Sequence, residues 1–388
     1  MRQLQKRTVY LDNAATSYPK PEVVYLAVDE YQRQIGVSSG RGGYFRALKA
    51  DEIVYQTRTT IAGLFNIKNA ARVVFTANAT ESLNLALKGL LKAGDHVVTT
   101  SMEHNAVWRC LKGLEAEKNI KITAVKCSPE GLAVEDVKAA IRSETRLVVM
   151  IHVSNVTGTI MPVGEVGRVA HSLGIPLLVD TAQSAGILPI DVERDNIDLL
   201  AFTGHKGLLG PFGTGGLYIA ESIQLKPLKE GGTGSESRLE RQPDTMPERF
   251  EAGTVNVAGL AGLGAGVNFL RQKGTQNILQ QERELTAYAL NVLSQLKSIE
   301  IYGSKNHDMQ VGVISFNISG MRPEEVGYLL DEEYGIMVRV GLHCSPLTHK
   351  TIGTADRGTL RFGLGLFNTI EEIDYAGYAL QQIIKQNL

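Results

Sequence analysis

The chain has 388 residues, which favours two domains because a single hydrophobic core rarely serves a chain of this length. Forty basic and forty-one acidic side chains leave a net charge of −1, which argues against an electrostatic nucleic-acid or membrane partner. Three cysteines are too few for a disulfide framework, and the sequence has neither an apolar leader nor a run of about 18 apolar residues, so we expect a soluble, cytoplasmic protein.

Short apolar segments alternate with segments of helical periodicity from about residue 70 to residue 206. The alternation is typical of an α/β fold with a mainly parallel sheet covered by helices on both faces, in which ligands bind at the carboxyl ends of the strands. The predicted strands are RVVFTA, HVVTTS, KITAVKC, LVVMIHVS, PLLVDTAQ and DLLAFTGHK, and the predicted helices are TESLNLALKGLL, NAVWRCLKGLEAEK, VEDVKAAI and VGEVGRVAHSLG.

The pattern changes in the last third of the chain. Residues 228–256 are polar and rich in glycine, which predicts a long functional loop. A helical spacing then begins around Leu285 and continues to Leu296. Beyond it we predict strands in VGVISFNI, GIMVRVG and GTLRFGLG, a helix in PEEVGYLLDEEY and a closing helix from about Ile370. These elements predict a smaller α+β domain, so we assign 18–257 to a large domain and 258–388, together with 1–17, to a small one.

Polar side chains follow five of the predicted strands. Because these strand ends meet at one edge of a parallel sheet, we expect the five groups to share a site. They are Thr76–Thr80, Ser101–His104, Ser154–Asn155, Asp180–Gln183 and Thr203–Lys206.

One cofactor, a pyridine ring that carries an aldehyde and a phosphate, would use all five groups. The Lys206 amine would hold the aldehyde as a Schiff base, and Asp180 would keep the ring nitrogen protonated as an electron sink. His104 is available to stack on the ring. The phosphate would be held by donors at a helix start and beside the lysine, at Ala79, Thr80, Thr203 and His205.

Each of these residues also has an ordinary structural explanation. Lys206 could be a solvated strand terminus, and Thr80 could simply be the N-cap of a helix. His104 and Asn105 could form a capping pair, whereas Asp180 and Asn155 could be turn residues. We favour the cofactor because all five groups fit it together.

Motifs along nearly the whole chain occur in the order known from one enzyme family. They are YLDNAATSYPKP, TANATESLNLAL, SMEHNAV, SNVTGTIMP, LLVDTAQSAG, FTGHKGLLGPFGTGGLY and FEAGTVN. In this the chain resembles the class V aminotransferase group of fold-type I pyridoxal-phosphate enzymes, and within it the cysteine desulfurases with a short, Suf-type catalytic loop. The resemblance implies an aspartate-aminotransferase-like fold with a seven-stranded large-domain sheet, and pyridoxal 5′-phosphate as cofactor.

The resemblance also implies roles for individual residues around the cofactor. Lys206 would be the Schiff-base lysine, and His104 would stack on the ring and take part in catalysis. Gln183 would hydrogen-bond the ring oxygen, while Asn155 would contact both cofactor and substrate. Thr254, in FEAGTVN, would reach the phosphate of a neighbouring subunit, which implies a homodimer. No metal ligand set is predicted.

The segment MVRVGLHCSPLTHKTIGT resembles the desulfurase loop and places Cys344 at the nucleophile's position. Arg361 matches the arginine that holds the substrate carboxylate, which suits its planar fork of donors, and Arg339 is a second candidate. Cys110 lies in a helical pattern and Cys127 at a strand end, so we expect both to be structural. The loop departs from the Suf-type pattern at Leu342, where a second histidine is common.

The implied reaction converts L-cysteine to L-alanine and leaves a persulfide on Cys344, from which an acceptor protein or a reductant takes the sulfur. Two other activities of the same class remain open. The site could act on L-selenocysteine as a lyase, or it could be an aminotransferase, which has no evident use for Cys344. A non-enzymatic scaffold that binds pyridoxal phosphate is a further alternative, against which the set Lys206, Asp180 and Arg361 argues.

Overall fold

A computed structural model describes residues 8–40, 42–304 and 306–387 of the chain. The strands are β1 (Val9–Tyr10), β2 (Val73–Thr76), β3 (His96–Thr100), β4 (Lys121–Val125), β5 (Thr145–Ile151), β6 (Leu177–Asp180), β7 (Leu199–Thr203), β8 (Gly215–Ile219), β9 (Ile299–Tyr302), β10 (Val313–Ile318), β11 (Ile336–Met337), β12 (Arg339–Gly341) and β13 (Thr359–Gly363). The α-helices are α1 (Glu22–Glu30), α2 (Phe45–Leu64), α3 (Ala79–Leu90), α4 (Asn105–Lys118), α5 (Val134–Ala140), α6 (Val163–Ser172), α7 (Val257–Lys273), α8 (Thr275–Ser294), α9 (Pro323–Tyr334), α10 (Pro346–Thr351) and α11 (Ile370–Asn387).

The predicted seven-stranded, mainly parallel sheet is confirmed. Its strand order is β2-β8-β7-β6-β5-β3-β4, and β8 runs antiparallel to both of its neighbours. The strands β3, β6 and β7 are buried along their whole length, which explains why they are continuous apolar runs rather than alternating patterns. Because β5, β6 and β7 are parallel, the polar residues at their carboxyl ends lie at the same edge of the sheet.

The smaller C-terminal domain is also confirmed. Its antiparallel sheet has the order β12-β13-β10-β9 and packs with α8, α9 and α11 around a separate core that includes Leu285, Phe316 and Leu380. The segment GIMVRVG is not one strand as predicted. It divides into β11, which pairs in parallel with β1, and β12, which pairs with β13. The predicted long loop 228–256 contains neither helix nor strand.

Three helices that pack together, α1, α2 and α7, escaped prediction. In α7 four glycines interrupt the apolar pattern, and glycine normally weakens a helix. Here the glycines permit close packing. A Cβ on Gly262 would lie 2.7 Å from Pro211 and from Val28, and one on Gly266 would lie 2.6 Å from the carbonyl oxygen of Leu208.

The predicted domain boundary after residue 257 coincides with the first residue of α7 and stays a prediction. Leu260, Leu263, Val267 and Leu270 of α7 belong to the core of the large sheet, whereas α8 contributes to the core of the small domain. Residues 1–7 and 388, which the predicted division also covers, lie outside the described residues. Within the described part of the chain, no helix is both long and apolar enough to cross a membrane.

Candidate active site

A cavity of about 320 Å³ lies where the carboxyl ends of the large-domain strands face β12 and β13 of the small domain. It brings together residues that the sequence places as far apart as Ala79 and Arg361. The predicted site residues that line it are Ala79, Thr80, His104, Asn155, Asp180, Gln183, Thr203, His205, Lys206, Arg339, Cys344 and Arg361.

We call the end of the cavity formed by the start of α3, Thr203 and His205 the cradle, because its groups favour an anion. Asn78 caps this helix, because its Oδ1 accepts the N–H of Glu81 over 3.0 Å, so Thr80 is not the cap. The first N–H groups of a helix have no partner within it and favour a negative charge. Beside them, Thr203 Oγ1 and His205 Nδ1 are buried without a hydrogen-bond partner.

The sheet approaches this cradle very closely at Gly215 on β8. A Cβ at that position would lie 2.7 Å from the Cα of Asn78, closer than any side chain tolerates. The glycine therefore sets how near the cap residue, and with it the start of α3, can sit to the end of β7.

The buried Asp180 and the half-buried His104 also line the cavity. Asp180 ends β6, accepts the N–H of Ala182 over 2.9 Å, and has a pKa raised by burial. His104 caps α4 by accepting the N–H of Ala106 at Nδ1, so the capping explanation holds and the ring also lines the cavity. Burial, together with the cations of Lys206, Arg109 and Arg361, lowers the pKa of His104 to about 4, which keeps the ring neutral.

The turn that contains Lys206 is hydrogen-bonded to the N-terminal segment. Lys20 Nζ donates to the carbonyl oxygen of His205 over 2.7 Å, and Ser17 Oγ donates to that of Lys206 over 2.9 Å. Burial lowers the pKa of Lys206 to about 8, with Asp180 opposing the shift and Arg361 adding to it. An amine with this pKa is partly unprotonated near neutral pH and is a usable nucleophile or base.

These residues fit pyridoxal phosphate. The unpartnered Thr203 Oγ1 and His205 Nδ1 beside a free helix start match a phosphate, since buried polar atoms are normally hydrogen-bonded. Asp180 matches a protonated ring nitrogen, which would compensate its buried charge, and Lys206 matches the aldehyde.

Cys344 lies at the mouth of the same cavity, in the loop between β12 and α10, with an exposed side chain. His343 and Cys344 both have positive φ, at 47° and 59°. The loop is held from the large domain: Asn155 Nδ2 donates to the carbonyl oxygen of His343 over 2.7 Å, and Ser345 Oγ donates to Asn155 Oδ1 over 2.7 Å. The side chain of Asn155 thus positions the cysteine loop, a contact that the sequence did not reveal.

The two arginines lie opposite each other on adjacent strands, since Arg339 on β12 pairs in register with Arg361 on β13. Arg361 is almost completely buried, and its Nη1 donates to the carbonyl oxygen of Asn155 over 2.9 Å. This places a guanidinium, which prefers carboxylates, close to both Lys206 and Cys344.

The family model described as aminotransferase class-V matches residues 9–376 of the chain. The chain belongs to the class-V aminotransferase family. This confirms the resemblance inferred from the motifs. A probable cysteine desulfurase of Methanothermobacter thermautotrophicus is 37% identical over 389 residues, which cover 97% of this chain and 94% of that protein. A cysteine desulfurase of Escherichia coli O157:H7 is 35% identical over 385 residues, covering 96% and 93%.

A solved structure has the same fold as this chain. The apo structure of a cysteine desulfurase from Thermococcus onnurineus NA1 superposes with a TM-score of 0.93 at 34% sequence identity. The match covers 98% of this chain and 95% of that one.

One predicted residue of this class-V family member lies elsewhere. Thr254 is exposed and lines a separate cavity with Phe75 and Glu251, so within one chain it does not join Lys206. Two further polar residues of the site, Asp12, which accepts a hydrogen bond from Arg361, and Lys20, which donates to the carbonyl oxygen of His205, are not predicted from the sequence. Both lie in the motif YLDNAATSYPKP, which indicates the family but not the contacts of its polar side chains.

Proposed function

We propose that the protein is a pyridoxal-phosphate-dependent cysteine desulfurase, which converts L-cysteine to L-alanine and retains the sulfur as a persulfide on Cys344. The observation that carries the proposal is an exposed thiol at the mouth of the cavity that contains Lys206, Asp180 and Arg361. A transaminase has no use for a thiol at that place, and relatives at 35–37% identity over nearly the whole chain are named cysteine desulfurases or probable ones.

The chain's own residues would hold the cofactor at both ends. The start of α3, with Thr203 and His205, would take the phosphate, and Asp180 the ring nitrogen, while His104 and Gln183 would flank the ring. When bound, pyridoxal phosphate supplies an electron sink that stabilises negative charge at the substrate's Cα and weakens its Cβ–S bond.

The substrate would be oriented by its carboxylate at Arg361. Lys206, with a pKa of about 8, would take the Cα proton and deliver protons back to the carbon skeleton. The Cys344 thiolate would attack the substrate sulfur, so that an S–S bond forms as the Cβ–S bond breaks. The sulfur ends as a persulfide on Cys344, and Cβ gains a proton to give the methyl group of alanine.

The decisive experiment measures products from L-cysteine, L-selenocysteine and an amino donor. We expect alanine from L-cysteine, with sulfide in the presence of a reductant. Cys344→Ser should lower sulfur release by orders of magnitude, while selenium release falls less because the C–Se bond is weaker. Cys110→Ser is the matched control and should desulfurate normally. Wild-type sulfide release by Cys344→Ser would overturn the assignment of the nucleophile.

Attachment of the cofactor at Lys206 has a direct test. Borohydride reduction of the loaded protein followed by peptide mapping should label Lys206, and Lys206→Ala should lose the visible absorbance of the bound cofactor while remaining folded. A label on another lysine would contradict the proposal.

We also infer a homodimer in which Thr254 completes the neighbouring site. Large apolar side chains are exposed on and just before α1 and α2, which pack against α7. Phe212 is also exposed, close to the cavity, and its ring lies 5.2 Å from that of His205. A surface of this kind normally marks an interface. The exposed side chains are Tyr18, Val23, Tyr25, Leu26, Tyr44, Phe45, Leu48, Tyr55 and Phe212. A fully active monomer in sedimentation would contradict this inference.

The exposure of Cys344 supports delivery of sulfur to an acceptor protein or a small reductant, because either could reach the thiol. Transfer of labelled sulfur from the persulfide to a candidate acceptor would test this step. A cytoplasmic location is part of the proposal and is tested by cell fractionation.

A further inference from the structure

The carboxylate of Asp12 lies between Arg361 and Arg339. These two arginines mark the part of the cavity that is proposed to bind the substrate carboxylate, called the substrate end. Arg361 Nη2 donates to Asp12 Oδ1 over 2.9 Å, and Arg339 Nη1 lies 3.6 Å from Asp12 Oδ2. The side chains of Arg361 and Asp12 are only 3% and 17% exposed, so the first pair is shielded from water. Ion pairs in such surroundings are screened far less than surface pairs.

The backbone fixes Asp12 in this place. The residue follows β1 and forms a bridge with Gly363, two residues beyond Arg361 on β13. A Cβ on Gly363 would lie 2.6 Å from the backbone nitrogen of Ala14, so the backbone after β1 packs directly against β13 and leaves no space for a side chain at Gly363. The hydroxyl of Tyr10 lies 3.1 Å from the carbonyl oxygen of Asp12 and 2.9 Å from that of Thr16, so its one proton is directed at this turn. The backbone therefore holds Asp12 in place beside the two arginines, which themselves line the cavity.

The consequence is a charge balance at the substrate end. Within this cluster two guanidinium groups and one carboxylate leave a net charge of +1, which suits one further carboxylate, while Lys206, the other nearby cation, is the group proposed to hold the cofactor. Arg361 donates one N–H of Nη1 to Asn155 and one N–H of Nη2 to Asp12, and its Nε is buried without a partner. A buried unpaired donor is costly, so this atom is ready for a ligand oxygen.

We propose that Asp12 is a specificity-determining residue, which makes the site accept amino acids with one carboxylate and reject dicarboxylic ones such as L-aspartate. The inference rests on the proposed function in that Arg361 receives the α-carboxylate. A second carboxylate in the same cavity would add negative charge to a cluster in which Asp12, behind the two lining arginines, already offsets one of their two positive charges. Like charges a few ångströms apart repel strongly when partly buried.

Binding to the cofactor-loaded protein, measured by calorimetry with L-alanine and L-aspartate, tests the proposal. Asp12→Asn should raise the affinity for aspartate relative to alanine by about tenfold or more, the equivalent of one removed like-charge contact. Asp12→Glu retains the charge and should retain the wild-type ratio. Asp136→Asn, the same change at an exposed position of α5, is the matched control and should leave the ratio unchanged.

Arg339→Gln keeps the test decisive if Asp12→Asn does not fold. It removes positive charge beside Asp12, so the affinity for aspartate relative to alanine should fall by several-fold. An unchanged ratio in Asp12→Asn or in Arg339→Gln, or a rise in Asp12→Glu equal to that in Asp12→Asn, would overturn the proposal. Desulfuration of L-cysteine is measured separately. A wild-type protein that desulfurates cysteine but binds aspartate as well as alanine would refute the specificity role alone.

Discussion

The three cysteines differ in the property that decides their chemistry, the availability of a thiolate. Burial raises the pKa of Cys110 to about 11 and also raises that of Cys127, while Cys344 is exposed. A thiol with a pKa near 11 is about 0.1% thiolate at pH 8. In the folded protein, we therefore expect iodoacetamide at pH 8 to alkylate Cys344 at least about 100-fold faster than the other two, as measured by peptide mass spectrometry.

The same reagent applied in denaturant provides the control, because all three thiols should then react at similar rates. Alkylation of Cys110 in the folded protein as fast as Cys344 would show that its helix opens or that the burial is wrong.

The position of a residue relative to the predicted strands identifies some site residues but not others. Lys206 and Asp180 follow buried strands, so the rule for parallel sheets predicts their convergence. Asp12 accepts a hydrogen bond from Arg361, which is 349 residues away in the sequence. Lys20 donates to the carbonyl oxygen of His205, which is 185 residues away. No local pattern encodes such contacts, because they exist only after both domains have folded around the N-terminal segment.

At the scale of elements, the distance between β8 and the start of α3 depends on one missing side chain. Gly215→Ala would place a Cβ 2.7 Å from Asn78 Cα and 2.8 Å from the carbonyl oxygen of Phe202. Because both neighbours are backbone atoms, relief requires moving the start of α3 or the sheet. We expect a loss of stability of about 1–3 kcal/mol and at least about tenfold weaker binding of pyridoxal phosphate, measured by thermal unfolding and by cofactor titration.

Gly113→Ala is the matched control. This glycine lies in α4, where a Cβ would meet no atom within 4 Å, so alanine should be neutral or stabilise the helix by up to about 1 kcal/mol. Normal cofactor affinity in Gly215→Ala would show that the phosphate cradle does not depend on this close approach.

Sequence periodicity predicted the elements in which burial follows a simple pattern along the chain. Strands such as β6 and β7 are buried on both faces and appear as unbroken apolar runs. By contrast, α2 buries polar residues, including Arg58, which pairs with Glu251 and donates to the carbonyl oxygen of Val73. Its pattern is therefore not that of an amphipathic helix, and only the tertiary contacts explain its place.

In the whole molecule, the N-terminal segment joins the two domains at the active site. It adds β1 beside β11, places Asp12 against Arg361, and then holds the turn of Lys206 through Ser17 and Lys20. A second buried feature lies at the same junction. Glu282 of α8 lines a cavity of about 40 Å³ together with Gln183, Lys206 and Leu364.

Burial raises the pKa of Glu282 from 4.5 to about 7, and its Oε1 accepts the N–H of Gly312 over 3.0 Å. Between those two pH values the folded protein keeps a proton that the unfolded chain has lost. This contribution to stability is present below pH 4.5 and is lost as the pH rises to about 7. Glu282→Gln keeps the neutral shape at every pH, so it should be more stable than wild type by about 1–3 kcal/mol at pH 8, and by much less at pH 5.

Urea unfolding of the loaded protein at fixed concentration, at pH 5 and pH 8, measures the effect. Glu103, whose pKa burial raises to about 8, shifts stability in the same direction, but it is present in both proteins and cancels in the comparison. Glu284→Gln, an exposed change on the same helix, should show no pH-dependent gain. If Glu282→Gln and wild type differed by the same amount at both pH values, Glu282 would already be ionised in the folded protein, and the domain junction would have to contain a counter-charge or water that stabilises it.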